Sequence, residues 1–142
     1  LTVESPSIAH WVPEILNNPD DLSYYPYMNG TFVFKNAVVR FSEVIMEGLQ
    51  TNGLSPTDID MLIPHQANLR ISQFVQKKFS LRDDQVYNNI QKYGNTTAAT
   101  IPLCFWEWEE KLNKGDNLIL AAFGGGFTWG SIYLKWAYDS KK

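Results

Sequence analysis

Cysteine is almost missing from this chain. The single thiol, Cys104, excludes an internal disulfide and a cysteine-rich metal centre, and it is compatible with a reducing compartment. Histidine is nearly as scarce. His10 and His65 are the only two, and they lack ligand spacing, so no metal site is expected. Basic charge is not in excess: the net charge of -3 offers no footprint for nucleic acid. No apolar run is long enough to span a bilayer, and no signal peptide is expected. Neither nucleic acid nor membrane is therefore expected as a partner. Leu1 in place of Met suggests an engineered, processed or truncated start. Internal repeats and low-complexity segments are also lacking. What remains is 142 residues, 44% hydrophobic and 19% charged, the composition of one globular domain with a sizeable core.

Four of the seven prolines fall in residues 1–30, with "NNPDD" and "YYPYMNG". That stretch reads as an irregular connector or cap, ahead of a domain over 31–142. In "KNAVVRFSEVIMEGLQT" (35–51), Ala37, Val38, Phe41, Val44, Ile45 and Leu49 share one stripe, which predicts an amphipathic helix ended by Asn52-Gly53. "MLI" (61–63) predicts a short buried strand. From Asn68 onward, Ile71, Phe74, Val75 and Phe79 repeat at helical spacing. "QVYNNI" (85–90) predicts a strand, and "NTTAATIPLCFWEWEEKL" (95–112) a helix that starts late or bends at Pro102. "NLILAAF" (117–123) predicts a buried strand, paired back by "FTWGSIYLKWAY" after the glycine run. The alternation implies an α/β fold, a mixed sheet with helices packed on it. Ligands of such sheets sit past the carboxyl ends of the strands. His65, Asn95 and the glycine run each follow a predicted strand end.

His65 is the sharpest candidate for chemistry. A neutral imidazole can exchange a proton or donate a hydrogen bond near pH 7; a structural histidine bonded to backbone is the competing reading. Asn95 in "KYGNTTAA" suits turn and N-cap chemistry, or an amide that steadies an oxyanion without titrating. "FGGGFTWG" joins strand to strand, so it is no dinucleotide fingerprint. It is either a hairpin turn or a source of one backbone N–H for an oxyanion. Cys104, between apolar residues of a helix, reads as inert. Trp106 and Trp108 read as core or a covered interface before an exposed aromatic site.

Taken in order, "MNGTFVFKNAV" (28–38), "LIPHQANLRI" (62–71), "YGNTTAATIP" (93–102) and "AAFGGGFTWGSIYLKW" (121–136) resemble the β-ketoacyl-acyl-carrier-protein synthase III family. The resemblance implies the C-terminal half of a thiolase-like fold. It also implies condensation of an acyl thioester with malonyl-acyl-carrier protein, with loss of CO2, and a cytoplasmic location. His65 and Asn95 match the family's catalytic pair, Gly125 its backbone oxyanion donor, and Phe123 a residue lining the acyl pocket. Asn68 matches a contact to the pantetheine arm; Lys35 and Arg70 match basic residues that steer acyl-carrier protein. Coenzyme A and phosphopantetheine thioesters enter as substrates, with no separate cofactor. The family's nucleophilic cysteine belongs to its N-terminal half, which becomes an expected partner. "PLCFWEWEEKLNKGD" departs from the family's usual segment, a difference expected to concern a surface helix only. A non-catalytic carrier-binding subunit and a polyketide-type synthase are the competing readings. Self-association is expected, with Leu118, Leu120, Ile132 and Leu134 as candidates for an uncovered apolar face.

Overall fold

The computed structural model describes residues 8–140, with side chains from residue 12 onward. His10 therefore lies outside the described side chains. The chain divides into two compact units, one ending at Phe34 and one beginning at Lys35. The first is more regular than its prolines suggest. It holds helix α1 (Ile8–Asn17), with Pro13 inside it, and a 3-10 turn over Leu22–Tyr24 capped by Asp21, which accepts from Ser23 N–H. It also holds the start of helix α2 (Gly30–Thr51). That helix begins five residues before the predicted 35, because Asn29 Oδ1 accepts from Phe32 N–H at 3.0 Å and caps the first turn.

The second unit is built on a three-stranded sheet in the order β1 (Met61–Pro64), β2 (Asn117–Gly124), β3 (Thr128–Lys135). β1 runs parallel to β2, with Pro64 opposite Ala121. β2 and β3 form an antiparallel hairpin, with Gly124 opposite Thr128. The sheet is mixed, as expected. Strand alternation sorts the core into two layers. Met61, Ile63 and Leu118 pack with Cys104 and Leu112, the side of helix α5 (Thr100–Trp108). The opposite face meets α2. Phe41 and Phe123 lie 6.5 Å apart by ring centroids, and Ser131 Oγ donates to Val44 O at 2.7 Å. Gly48 allows that approach, since a Cβ there would stand 2.7 Å from Ser131 Oγ.

Cross-strand register carries Leu118 opposite Leu134 and Leu120 opposite Ile132. These four thus share the α5 face of the sheet. Leu118 is fully buried and Leu120 partly so, whereas Ile132 is 61% and Leu134 37% exposed. The expected uncovered face is therefore confined to β3; Leu118 does not belong to it.

Helix α3 (Leu69–Lys78) follows β1 after four residues, and Pro102 falls at the third residue of α5, where its missing N–H costs no intrahelical bond. The late helix start is thus the one observed. The strand predicted over 85–90 is absent. Only a single bridge, Leu62 with Val86, is made, and Tyr87 N–H reaches Leu62 O at 3.1 Å. Beyond it the backbone donors of Asn89 and Ile90 go to the Gln66 side chain instead. The segment then enters a short helix, α4 (Ile90–Tyr93).

Candidate active site

His65 stands one residue beyond β1. Its N–H donates to Ala121 O at 2.7 Å, so the parallel pairing with β2 runs on through it. The imidazole is partly buried, and desolvation lowers its pKa below the ordinary 6.5. A group so placed is neutral near pH 7. Its Nδ1 lies 2.6 Å from Thr100 Oγ1, at the start of α5.

Asn95 does not follow a strand, as the sequence suggested. It follows α4 and Gly94, whose φ of 69° ends that helix. Its Oδ1 accepts from Thr97 N–H at 2.9 Å. The turn-forming reading of this asparagine is thus realised by one end of its amide; the donors sit on the other end. Thr97 has φ 52°, an unusual conformation for a β-branched residue and one that concentrates at functional sites. Thr96 Oγ1 is buried without a hydrogen-bond partner among the described residues. Thr100 Oγ1 also lies 3.0 Å from Thr97 O. Loop 95–100 therefore links Asn95 to His65 through Thr97 and Thr100.

Gly125 opens the turn of the β2–β3 hairpin and is exposed. Its carbonyl accepts from Thr128 Oγ1 at 3.1 Å. Because β1 and β2 are parallel, His65 and Gly125 leave the same edge of the sheet. Phe123, two residues earlier, is 6% exposed and lies against Phe41, Phe127 and Trp129. Asn68 caps α3, its Oδ1 accepting from Arg70 N–H at 2.9 Å. Lys35 and Arg70 are exposed, and neither forms an ion pair with the group around His65 among the described residues.

Four residues that frame this edge carried no role in the sequence reading. Gln66, 2% exposed, donates to Pro64 O at 2.7 Å and accepts from Asn89 and Ile90 N–H at 3.1 and 3.3 Å. Asn89 in turn donates to Glu107 at 2.9 Å. Glu107 also accepts from Tyr87 at 2.9 Å, from Tyr93 at 2.8 Å and from Lys92. Those donors, Lys92 first, hold its carboxyl at about 2. The fourth is Thr100. The only signal for Gln66 was an amide beside the histidine. For Glu107 it was a carboxylate at Phe-Trp-Glu-Trp, where a charge faces inward between aromatics. The segment that departs from the family's usual one is thus not a surface feature alone: Glu107 is tied to the site's frame. Trp108 packs against Tyr87 with centroids 4.5 Å apart, while Trp106 is 71% exposed.

Cys104 is buried, donates to Asn89 Oδ1 at 3.2 Å, and its thiol is pushed up to about 12 by burial. It is no nucleophile at neutral pH. No cluster that could hold a metal ion exists among the described residues, and no helix there is long and apolar enough to cross a membrane.

Residues 49–136 match the family described as 3-oxoacyl-[acyl-carrier-protein (ACP)] synthase III C terminal. Beta-ketoacyl-[acyl-carrier-protein] synthase III of Porphyromonas gingivalis is 50% identical over 120 residues, covering 84% of this chain and 36% of that protein. Synthase III 2 of Bacteroides thetaiotaomicron is 50% identical over 123 residues, 87% of this chain and 37% of that protein. The crystal structure of 3-oxoacyl-(acyl carrier protein) synthase III from Pseudomonas aeruginosa PAO1 superposes with a TM-score of 0.80 at 35% identity, covering 96% of this chain and 41% of that one. The chain thus spans little more than a third of its relatives' length, less than the half first expected. With its mixed sheet, its thiolase-like fold and a match that takes in the His65, Asn95 and Gly125 segments, this chain belongs to the 3-oxoacyl-acyl-carrier-protein synthase III family and forms a C-terminal portion of it.

Proposed function

We propose that this chain is the oxyanion-handling part of a condensing enzyme that joins an acyl thioester to malonyl-acyl-carrier protein with loss of CO2. The observation that carries it is the loop from Asn95 to His65, tied by Thr97 N–H to Asn95 Oδ1, by Thr100 N–H to Thr97 O and by Thr100 Oγ1 to His65 Nδ1, in a chain of this family. Loss of CO2 from a malonyl thioester drives an electron pair onto the thioester oxygen. His65 and the Asn95 amide donate hydrogen bonds to that oxygen, favouring the transition state over the ground state. The resulting carbon nucleophile attacks an acyl group held as a thioester on an enzyme cysteine. The oxyanion that forms there is met by the backbone at Gly125, and the thiolate leaves. A neutral His65 still carries one N–H, so it can donate to the oxyanion without giving up its proton.

The cysteine comes from outside these residues, from an N-terminal part of the same synthase, since Cys104 is buried with its thiol pushed up to about 12. Phe123 borders the acyl chain and Asn68 the pantetheine arm. Coenzyme A and phosphopantetheine thioesters are the substrates, the enzyme self-associates, and it acts in the cytoplasm. Lys35 and Arg70 steer the acidic carrier protein; rim charges of this kind act mainly on encounter rate.

The test is condensation of acetyl-CoA with malonyl-carrier protein by the complete synthase. Arg70→Glu is expected to lower kcat/KM with carrier protein by about tenfold at low salt, and to leave malonyl-CoA almost unaffected. An unchanged rate with carrier protein removes the docking role of Arg70. Failure to form a 3-oxoacyl product from either malonyl donor removes the proposed activity.

A further inference from the structure

We infer that Thr100 is a positioning residue that holds His65 in the tautomer protonated on Nε2. This deepens the reading of His65 as an oxyanion donor and rests on it. A neutral imidazole carries one N–H, and which nitrogen holds it is set by the partner of the other. For His65 the partner of Nδ1 is Thr100 Oγ1, at 2.6 Å. A threonine hydroxyl has one proton to give. It stands between two acceptors, His65 Nδ1 at 2.6 Å and Thr97 O at 3.0 Å.

Two arrangements are possible. If the hydroxyl donates to Thr97 O, it accepts from Nδ1–H, and Nε2 is left as a bare acceptor. If it donates to Nδ1, the ring proton sits on Nε2 and makes that nitrogen the donor. Thr97 O already receives the N–H of Thr100, so it has no unmet need for the hydroxyl. The shorter of the two contacts is also the one to the imidazole. An imidazole with a bare Nε2 would turn a lone pair toward the thioester oxygen and repel the charge that decarboxylation develops there.

Thr100 is well placed for this duty. It is 2% exposed, so water does not compete for Nδ1 from its side. Its backbone starts α5, and Thr97 ties the same turn to Asn95 Oδ1. The one loop thereby orients both donors: it occupies the acceptor end of the Asn95 amide and the Nδ1 side of His65.

The experiment uses the complete synthase labelled with 15N at histidine, with the His65 signals assigned by their loss in His65→Ala. Above the imidazole pKa, the wild type is expected to show a pyridine-like Nδ1 and a protonated Nε2. Thr100→Ser keeps a hydroxyl and should keep that spectrum and the wild-type kcat. Thr100→Val has nearly the same shape but no proton; it should give a tautomer mixture and lower kcat by about tenfold, with KM within about twofold. A wild-type Nδ1–H tautomer overturns the inference. So does a valine variant with both spectrum and kcat unchanged. The wild-type spectrum decides the matter alone if the valine variant does not fold. Unaltered condensation in His65→Ala would instead remove the role of His65, while the spectra still report what Thr100 does.

Discussion

Alanine at His65 in the complete synthase should lower kcat by about 10²–10³-fold, the usual cost of losing one preorganised oxyanion donor. The loss should be similar for malonyl-carrier protein and for malonyl-CoA, because it falls on the transition state and not on docking. KM should change little. Burial lowers the His65 pKa below 6.5. The stability sign follows. The unfolded chain takes up a proton near 6.5 while the folded site resists it, so stability falls as pH drops from about 6.5 toward the folded pKa. A kcat within twofold of wild type in His65→Ala contradicts this role.

The second large effect is structural. Glu107 is 12% exposed at its side chain and receives hydrogen bonds from Tyr87, Asn89, Lys92 and Tyr93. Glu107→Gln removes the charge and turns an amide donor into a ring of donors. Partners left unmet in a partly buried site destabilise a fold more than a lost surface ion pair does. The apparent Tm should fall by about 5 °C or more. Acid sensitivity should change as well. The carboxyl is held at about 2 against an ordinary 4.5, so its contribution is complete above 4.5 and is lost as pH falls from there toward 2. Melting curves over that range should be steeper in pH for the wild type than for Glu107→Gln. Identical curves would mean that Glu107 does not secure the segment leading to Asn95.

Much of this architecture was legible because burial writes periodicity into the chain. Ala37, Phe41, Val44, Ile45 and Leu49 mark the inner face of α2, and all are buried. The unbroken run from Leu118 to Phe123 marks a strand covered on both faces. Two elements escaped. Val86 and Tyr87 favour strands, yet their segment was claimed by Gln66, whose side chain takes the next two backbone donors. No local pattern records a competitor more than twenty residues away in sequence. Helix α1 was hidden by Pro13 and the turn residues after it. The site divides in the same manner. His65 and Gly125 follow true strand ends, where chain order predicts position. Asn95 lies between α4 and a 3-10 turn that begins at Thr97 in a left-handed conformation. Thr100 looked like one more polar residue of "NTTAAT", and only its 2.6 Å contact with His65 separates it from its neighbours.

The central claim is that these residues stabilise charge on a thioester but supply no nucleophile. It is tested most directly by assaying the 142-residue chain alone with acetyl-CoA and malonyl-carrier protein, beside its His65→Ala variant and the complete synthase. The complete synthase is expected to give 3-oxoacyl product, and neither form of the chain alone to give any. Turnover by the isolated chain above that of its His65→Ala variant would contradict it.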